Sequence, residues 1–241
     1  MERVSNEHSK VERVLQNSQP VGAPLPDWAP RRLPDAERLQ GRWCTLERLD
    51  ADRHADELSA AYAASEDSDW TYLPVGPFES ADSYRSWVQA QAQTGDPRHY
   101  AVIDAASGRA VGTLSLMRHD PANGVIEVGW VVFSRAMQRT PISTEAHFLL
   151  MGYVFDELGY RRYEWKCDSL NAPSRRAAER LGFEFEGTFR QSTVYKGRSR
   201  DTSWFSIIDR EWPQRRRAFE AWLAPENFDD DGKQRTALRG R

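Results

Sequence analysis

Glu127, Asn171 and Ser174 are the residues whose types and settings could carry acid–base chemistry. In the run Val125 to Phe133 (VIEVGWVVF), the two-residue period of a strand puts Glu127 on one face with Val125, Gly129, Val131 and Phe133. A carboxylate in so apolar a strand is either paired with a cation or partly desolvated. Desolvation raises its affinity for protons, as a base serving an ammonium nucleophile requires. A wet position at a strand mouth, with no function, is the third alternative. Gly129 weakens the strand unless backbone or ligand approaches closely there. Further on, Ser174, Ala177, Ala178 and Leu181 recur at i, i+3, i+4 and i+7, so the Ser174 hydroxyl lies on the inward face of a short helix. A hydroxyl bonded back to its own helix is the alternative. Asn171 is a natural cap for that helix, with Pro173 in its first turn.

Between these groups runs the loop from Ser134 to Thr144. It precedes a helix, so its N–H groups and the helix N-terminus suit an anion such as a pyrophosphate. Gln138, Arg139, Thr140, Ser143 and Thr144 add donors, while Pro141 removes one. A second loop, Asp67 to Glu79, is dense in aromatics, Pro and Gly. It either lines a ligand cleft or caps the core, and Trp70, Tyr72 and Phe78, with Trp87 on the next helix, are the candidates for an acceptor side.

The elements that must hold these residues follow from periodicity. Strands are expected at 42–49, 99–104, 110–118, 124–133, 163–168, 183–190 and 202–208. Helices are expected at 51–64, from Ser80 or Asp82 to Gln93, from a Ser143 or Thr144 cap to Gly159, at 172–181 and at 211–223. The short turns at Gly108 and Pro121–Gly124 predict antiparallel hairpins. Strand 124–133, a helix and strand 163–168 predict a parallel pair with a right-handed crossover. The fold class is therefore α/β of the α+β type, a mixed, mostly antiparallel sheet of six to seven strands with flanking helices. Residues 1–40 carry five prolines between Pro20 and Pro34 and read as an arm, largely irregular apart from a short helix at Glu7 to Leu15. Residues 41–224 read as the domain and 225–241 as a disordered charged tail.

Composition narrows the function classes. The 241 residues carry a formal charge of −3 with arginines interleaved among carboxylates, which argues against nucleic acid as a partner. No apolar run approaches the roughly 20 residues of a bilayer span, and the N-terminus lacks the apolar core of a secretory signal, so no membrane partner and a cytoplasmic location are expected. Cys44 and Cys167 are too few for a disulfide framework, and the five histidines show no metal-ligand spacing, so no metal is expected. Cys167 could suggest a covalent thioester route, but no histidine near it in sequence would activate it.

EVGWVVF, QRTPISTEA, the pair Asn171 and Ser174 followed by AAERLGFEFEG, and KGRSRDTSWFSIIDREW, in that order, resemble the GCN5-related N-acetyltransferase (GNAT) superfamily. Within it they resemble the branch of the ribosomal-protein N-terminal acetyltransferases, over about residues 41 to 213. The resemblance implies that the central parallel strands splay apart to hold acetyl-CoA as co-substrate. Its pantetheine would run along the main chain of Trp130, Val131, Val132 and Phe133, and its pyrophosphate would sit on Gln138 to Thr144. Asn171 resembles the family asparagine that contacts the pantetheine, and Ser174 the hydroxyl beside the thioester sulfur, an acid for the leaving thiolate. In this loop Pro141 and Ser143 stand where the family usually has Gly and Gly or Ala. The implied activity is direct acetyl transfer to a primary amine of a small molecule or a peptide or protein N-terminus, with Glu127 as base; a homodimer is left open. The alternative on the same fold is a catalytically weak acyl-CoA-binding sensor or partner-docking module.

Overall fold

The computed structural model describes residues 13–16 and 19–238, and the chain divides into two units, 1–30 and 31–241. In the first, β1 (Arg13–Gln16) and β2 (Gln19–Gly22) pair antiparallel. The helix expected at Glu7 to Leu15 lies mostly outside the described residues. Where it enters them, the backbone bonds across a hairpin instead of along a helix.

The second unit is one mixed sheet with helices on both faces. In chain order it contains β3 (Arg38–Gln40), β4 (Cys44–Arg48), α1 (Ala51–Tyr62), α2 (Ala81–Ala92), β5 (Arg98–Asp104), β6 (Ala110–Asp120) and β7 (Val125–Phe133). Then come α3 (Pro141–Gly152), β8 (Arg162–Asp168), α4 (Ala172–Arg180), β9 (Glu184–Tyr195), β10 (Arg198–Ile208) and α5 (Trp212–Leu223). The strand order is β3-β4-β5-β6-β7-β8-β10-β9, with β7 and β8 parallel and every other pair antiparallel. The sheet has eight strands because β3, inside the stretch expected to be irregular, adds an edge.

Alternation along the strands divides the apolar residues between two cores. Tyr100 and Val102 of β5 point into a large core with Leu150, Tyr163 and Phe219, whereas Ala101 joins Leu58, Tyr84 and Val88 under α1 and α2. The helix expected to start at Ser143 or Thr144 starts one turn earlier. Thr140 is its N-cap and Pro141 takes the first position, where a missing N–H costs nothing. It continues through a π-helical turn, Tyr153–Glu157, and Gly159 ends it at φ 67°.

The ends of the domain lie further out than the sequence pattern suggests. Residues 31–37 have no regular structure and lead into β3, but they are not loose from the domain, because core side chains satisfy their backbone: the Asp35 and Ala36 N–H groups donate to the Tyr153 hydroxyl (2.8 and 3.0 Å), and Arg98 donates to both carbonyls (2.9 and 3.0 Å). Nor are residues 225–238 a disordered tail. Phe228 packs edge-on against Trp43 and Trp222, Leu238 is buried, and the Asn227 side chain bonds Trp222 O, Thr236 O and Thr236 N. Isolated apolar residues and one amide do there what a periodic pattern does elsewhere.

Glu145 of α3 fixes the β3–β4 corner. Its carboxylate, 4% exposed, accepts from the N–H groups of Arg42 (2.9 Å), Trp43 (2.6 Å) and Cys44 (2.7 Å). A Cβ on Gly41 would fall on this carboxylate, so a side chain there would push Glu145 off its three N–H donors. Removing a charged acceptor strands the donors it served. Glu145→Ala should therefore cost about 3 kcal/mol, and Glu145→Gln less, in urea unfolding. An alanine variant as stable as the parent protein would show that water satisfies these donors instead.

Candidate active site

The parallel pair holds together only over Val125–Val128 against Arg162–Trp165. Beyond it β7 runs on to Phe133 and β8 to Asp168 without pairing to each other, so the edge of β7 that faces β8 is open among the described residues. On its other side β7 is bulged: Trp130 and Val131 together oppose Leu114, and Trp130 takes φ 50°. Such a bulge frees main-chain groups from the ladder and re-aims them. On the core side the gap is filled by His147 of α3, whose imidazole lies between Phe133 of β7 (5.5 Å) and Trp165 of β8 (5.1 Å).

Glu127 sits where the strands begin to part, 4% exposed. Of the sequence alternatives, cation pairing is the one observed. Arg118 Nη1 lies 2.6 Å and Lys166 Nζ 2.9 Å from Oε2. A bulge in β6, with Arg118 at φ 51°, turns that guanidinium towards Glu127. Lys166 also pairs with Glu164 (2.7 Å), Glu164 with Arg162 (2.6 Å), and Arg162 with Glu186. The close neighbour at Gly129 is neither backbone nor ligand but the Met117 side chain, with Glu127 Oε1 next to the same spot.

Ser174 is not bonded back to its own helix. Its Oγ accepts from the Trp165 indole N–H (3.0 Å) and its N–H donates to Asn171 Oδ1 (3.1 Å). Trp165 thereby fixes the orientation of the Ser174 hydroxyl, whose own proton is directed towards the Cys167 sulfur. Asn171 is the cap of α4 read from the sequence. Burial pushes the Cys167 thiol up, only partly offset by its hydrogen bond to Ser174, so this cysteine is held as a thiol at neutral pH.

From the open edge a cleft of about 680 Å³ runs between the first turns of α3 and the face of α4. Phe133, Gln138, Arg139, Thr140, Ser143 and Thr144 all line it, as the sequence pattern groups them. Gln138 Nε2 donates to Phe133 O (2.9 Å), and Arg139 takes the left-handed φ of 62° at a point where the loop has no glycine. No side chain caps α3, since the Thr140 hydroxyl bonds Met137 O (2.7 Å) instead, so N–H groups of the first turn are available to an anion. Sequence reading missed His147, Arg180 and Lys233, which also line the cleft. His147 carried a signal, a polar residue on an apolar helix stripe, whereas Arg180 and Lys233 had none beyond their charge.

The aromatic acceptor candidates divide. Trp70 is buried and stacks edge-on with Tyr62 and Phe78, so both loop aromatics serve the α1–α2 core. Trp87 reaches Trp130 at the bulge (5.9 Å), and the Tyr72 hydroxyl donates to Leu170 O beyond the end of β8 (3.1 Å). The turn between β9 and β10 closes over this side: Lys196 donates to Trp70 O and Gly76 O, and Tyr195 donates to Asp168 (2.9 Å).

A splayed parallel pair with one open strand edge, a bulge, a poised hydroxyl and a cation-lined cleft at a helix N-terminus is the architecture of an acyl-transferring enzyme. The family profile "Acetyltransferase (GNAT) domain" matches residues 44–184. A GCN5-related N-acetyltransferase from Brucella melitensis is 50% identical, with a TM-score of 0.87 over 89% of this chain and 97% of that one. A GNAT-family structure from Chromobacterium violaceum is 42% identical, with a TM-score of 0.75 over 81% and 98%. YdaF of Bacillus subtilis, whose name places it provisionally among ribosomal N-acetyltransferases, is 29% identical over 59% of this chain and 78% of its own length. The chain belongs to the GNAT acetyltransferase family.

Two buried histidines flank the site, and burial is the main cause of their shifts. His99, packed on Trp87 and Trp130, is pushed down to about 4 and His147 to about 3, from an ordinary 6.5. Both are neutral at pH 7. Because the unfolded chain takes up these protons near pH 6.5, the stability they contribute is complete above that and is lost as pH falls towards 4 and 3. At pH 5 each should cost about 2 kcal/mol. His99→Phe should thus lose about 2 kcal/mol less than the parent protein in urea unfolding between pH 7 and pH 5; equal losses would refute the shift.

Proposed function

We propose that this acetyltransferase moves an acetyl group from acetyl-CoA to a primary amine by direct attack. The observation that carries the reading is the unpaired edge of β7 beyond Val128, beside a cleft lined by both apolar side chains and cations. That lining suits a pantetheine arm with a phosphorylated nucleotide, and Trp130 to Phe133 offer the arm a strand edge to pair with. Gln138 to Thr144 and the first turn of α3 would hold the phosphates, and Asn171 lies at the start of α4 beside the arm's path.

Bound acetyl-CoA supplies an acetyl group already activated as a thioester. Glu127 receives the proton of the attacking amine, directly or through water. Arg118 and Lys166, both paired with Oε2, hold its carboxylate in place. N–H groups at the Trp130–Val131 bulge face developing negative charge on the carbonyl oxygen. Ser174, oriented by Trp165, directs its hydroxyl proton to the departing sulfur. Cys167, held as a thiol, takes no covalent part.

The acceptor side, bounded by Tyr72, Trp87 and the β9–β10 turn, takes an amine, and the kinship with YdaF favours a peptide or protein N-terminus among the amines. Calorimetry with acetyl-CoA, followed by free-thiol release with amino acids, polyamines, aminoglycosides and short peptides, tests the reading. Absence of acetyl-CoA binding, or of thiol release with every amine, would falsify it. Glu127→Gln should lower kcat about 100-fold and Ser174→Ala about tenfold, both with acetyl-CoA affinity unchanged. Cys167→Ala should keep its activity; loss of transfer in that variant with binding intact would restore a covalent route.

A further inference from the structure

Three cations without a carboxylate partner come together in one cleft. Among the described residues neither Arg139, Arg180 nor Lys233 has a carboxylate within 4 Å, although all three border the cleft below α3. Arg180 is held flat over the Trp222 ring (4.8 Å) with Nη1 on Thr144 Oγ1 (3.0 Å). Uncompensated cations gathered in one concavity leave a positive potential that a polyanion would neutralise.

Lys233 comes from the segment after α5, outside residues 44–184, and that segment is anchored on both sides of it. The Asp229 carboxylate accepts the Lys233 N–H (2.8 Å), and Gln234 Oε1 accepts the Trp222 indole N–H (2.8 Å). These bonds fix the segment around a lysine whose ammonium makes no hydrogen bond of its own among the described residues. The three aspartates at 229–231 precede it without lining the cleft, so Lys233 is the charge this segment presents there.

We propose that residues 225–238 form an added wall of the acyl-CoA cleft, with Lys233 and Arg180 as its phosphate-binding cations. They replace contacts that a glycine-rich loop would make through its backbone, which Pro141 and Ser143 do not supply. The proposal rests on the acyl-CoA reading above and concerns the nucleotide end only, away from Glu127 and Ser174.

The test is calorimetry of the full chain and of Lys233→Ala and Lys233→Glu with CoA, dephospho-CoA and pantetheine. Lys233 is at the surface and its fixed backbone bonds survive either substitution. The alanine variant should bind CoA about tenfold more weakly and the glutamate variant more weakly still, with pantetheine binding unchanged. A loss that persists with dephospho-CoA assigns the contact to the pyrophosphate; a loss confined to CoA assigns it to the 3′-phosphate, and both support the proposal. Unchanged CoA affinity in both variants, or equal weakening of pantetheine, overturns it. If the unmodified protein binds no CoA, the acyl-CoA reading itself fails.

Discussion

The divergence of β7 from β8 after Val128 and Trp165 is the constraint on which the rest depends. Two parallel strands leaving a shared ladder abandon hydrogen bonds that a sheet would otherwise make, and unpaired backbone is costly unless something replaces them. The structure holds the fork open from both faces. On the core side, the imidazole of His147 is wedged between Phe133 and Trp165. On the other side, Lys166 is drawn towards Glu127 and Glu164 at the root of the fork and covers Trp204 at 3.7 Å. The strands are tied where they meet and propped where they part.

The two sets of charges near the fork behave differently for a physical reason. Arg118, Glu127, Lys166, Glu164, Arg162 and Glu186 alternate in sign across β6, β7, β8 and β9, so each buried charge has an opposite neighbour and the desolvation cost is offset locally. The cleft cations have no such partners. A compensated ladder is a structural solution that also orients Glu127, whereas cations gathered without partners in one cleft leave a positive potential there. Proximity in sequence does not separate the two: Arg175, Arg176 and Arg180 share one helix, yet Arg180 alone of them lines the cleft.

Much of this was legible in the sequence because it follows from period and spacing. The hairpins, the parallel crossover, the N-terminus of α3 beside Gln138 to Thr144, and the Asn171 cap of α4 each depend on residues within a few positions of one another. What was not legible depends on distant partners. Nothing near Glu127 announces Lys166, which is brought opposite by the parallel register, or Arg118, which reaches it through a bulge. The loop of Trp70 and Phe78 left cleft lining and core capping both open because composition does not reveal which way a loop folds; here these two rings turn inward. Residues 31–40 and 225–238 looked unstructured because their anchors, Tyr153, Arg98, Trp43 and Trp222, lie far away in the chain.

Helix α3 shows how one element can serve the fold and the site without conflict. Ser143, Thr144 and His147 lie at i, i+1 and i+4, within one side of the helix, and all three line the cleft. Glu145 lies about 200° around from His147 and faces the β3–β4 corner, where it collects three backbone N–H groups. The carboxylate fixes the rotation of the helix, and that rotation sets the direction of the imidazole wedge and of the unsatisfied first-turn N–H groups. The edge of the sheet farthest from the chemistry thus sets the aim of the helix end that faces it. For that reason Gly41, which makes room for Glu145, belongs to the site's support as much as the residues lining it do.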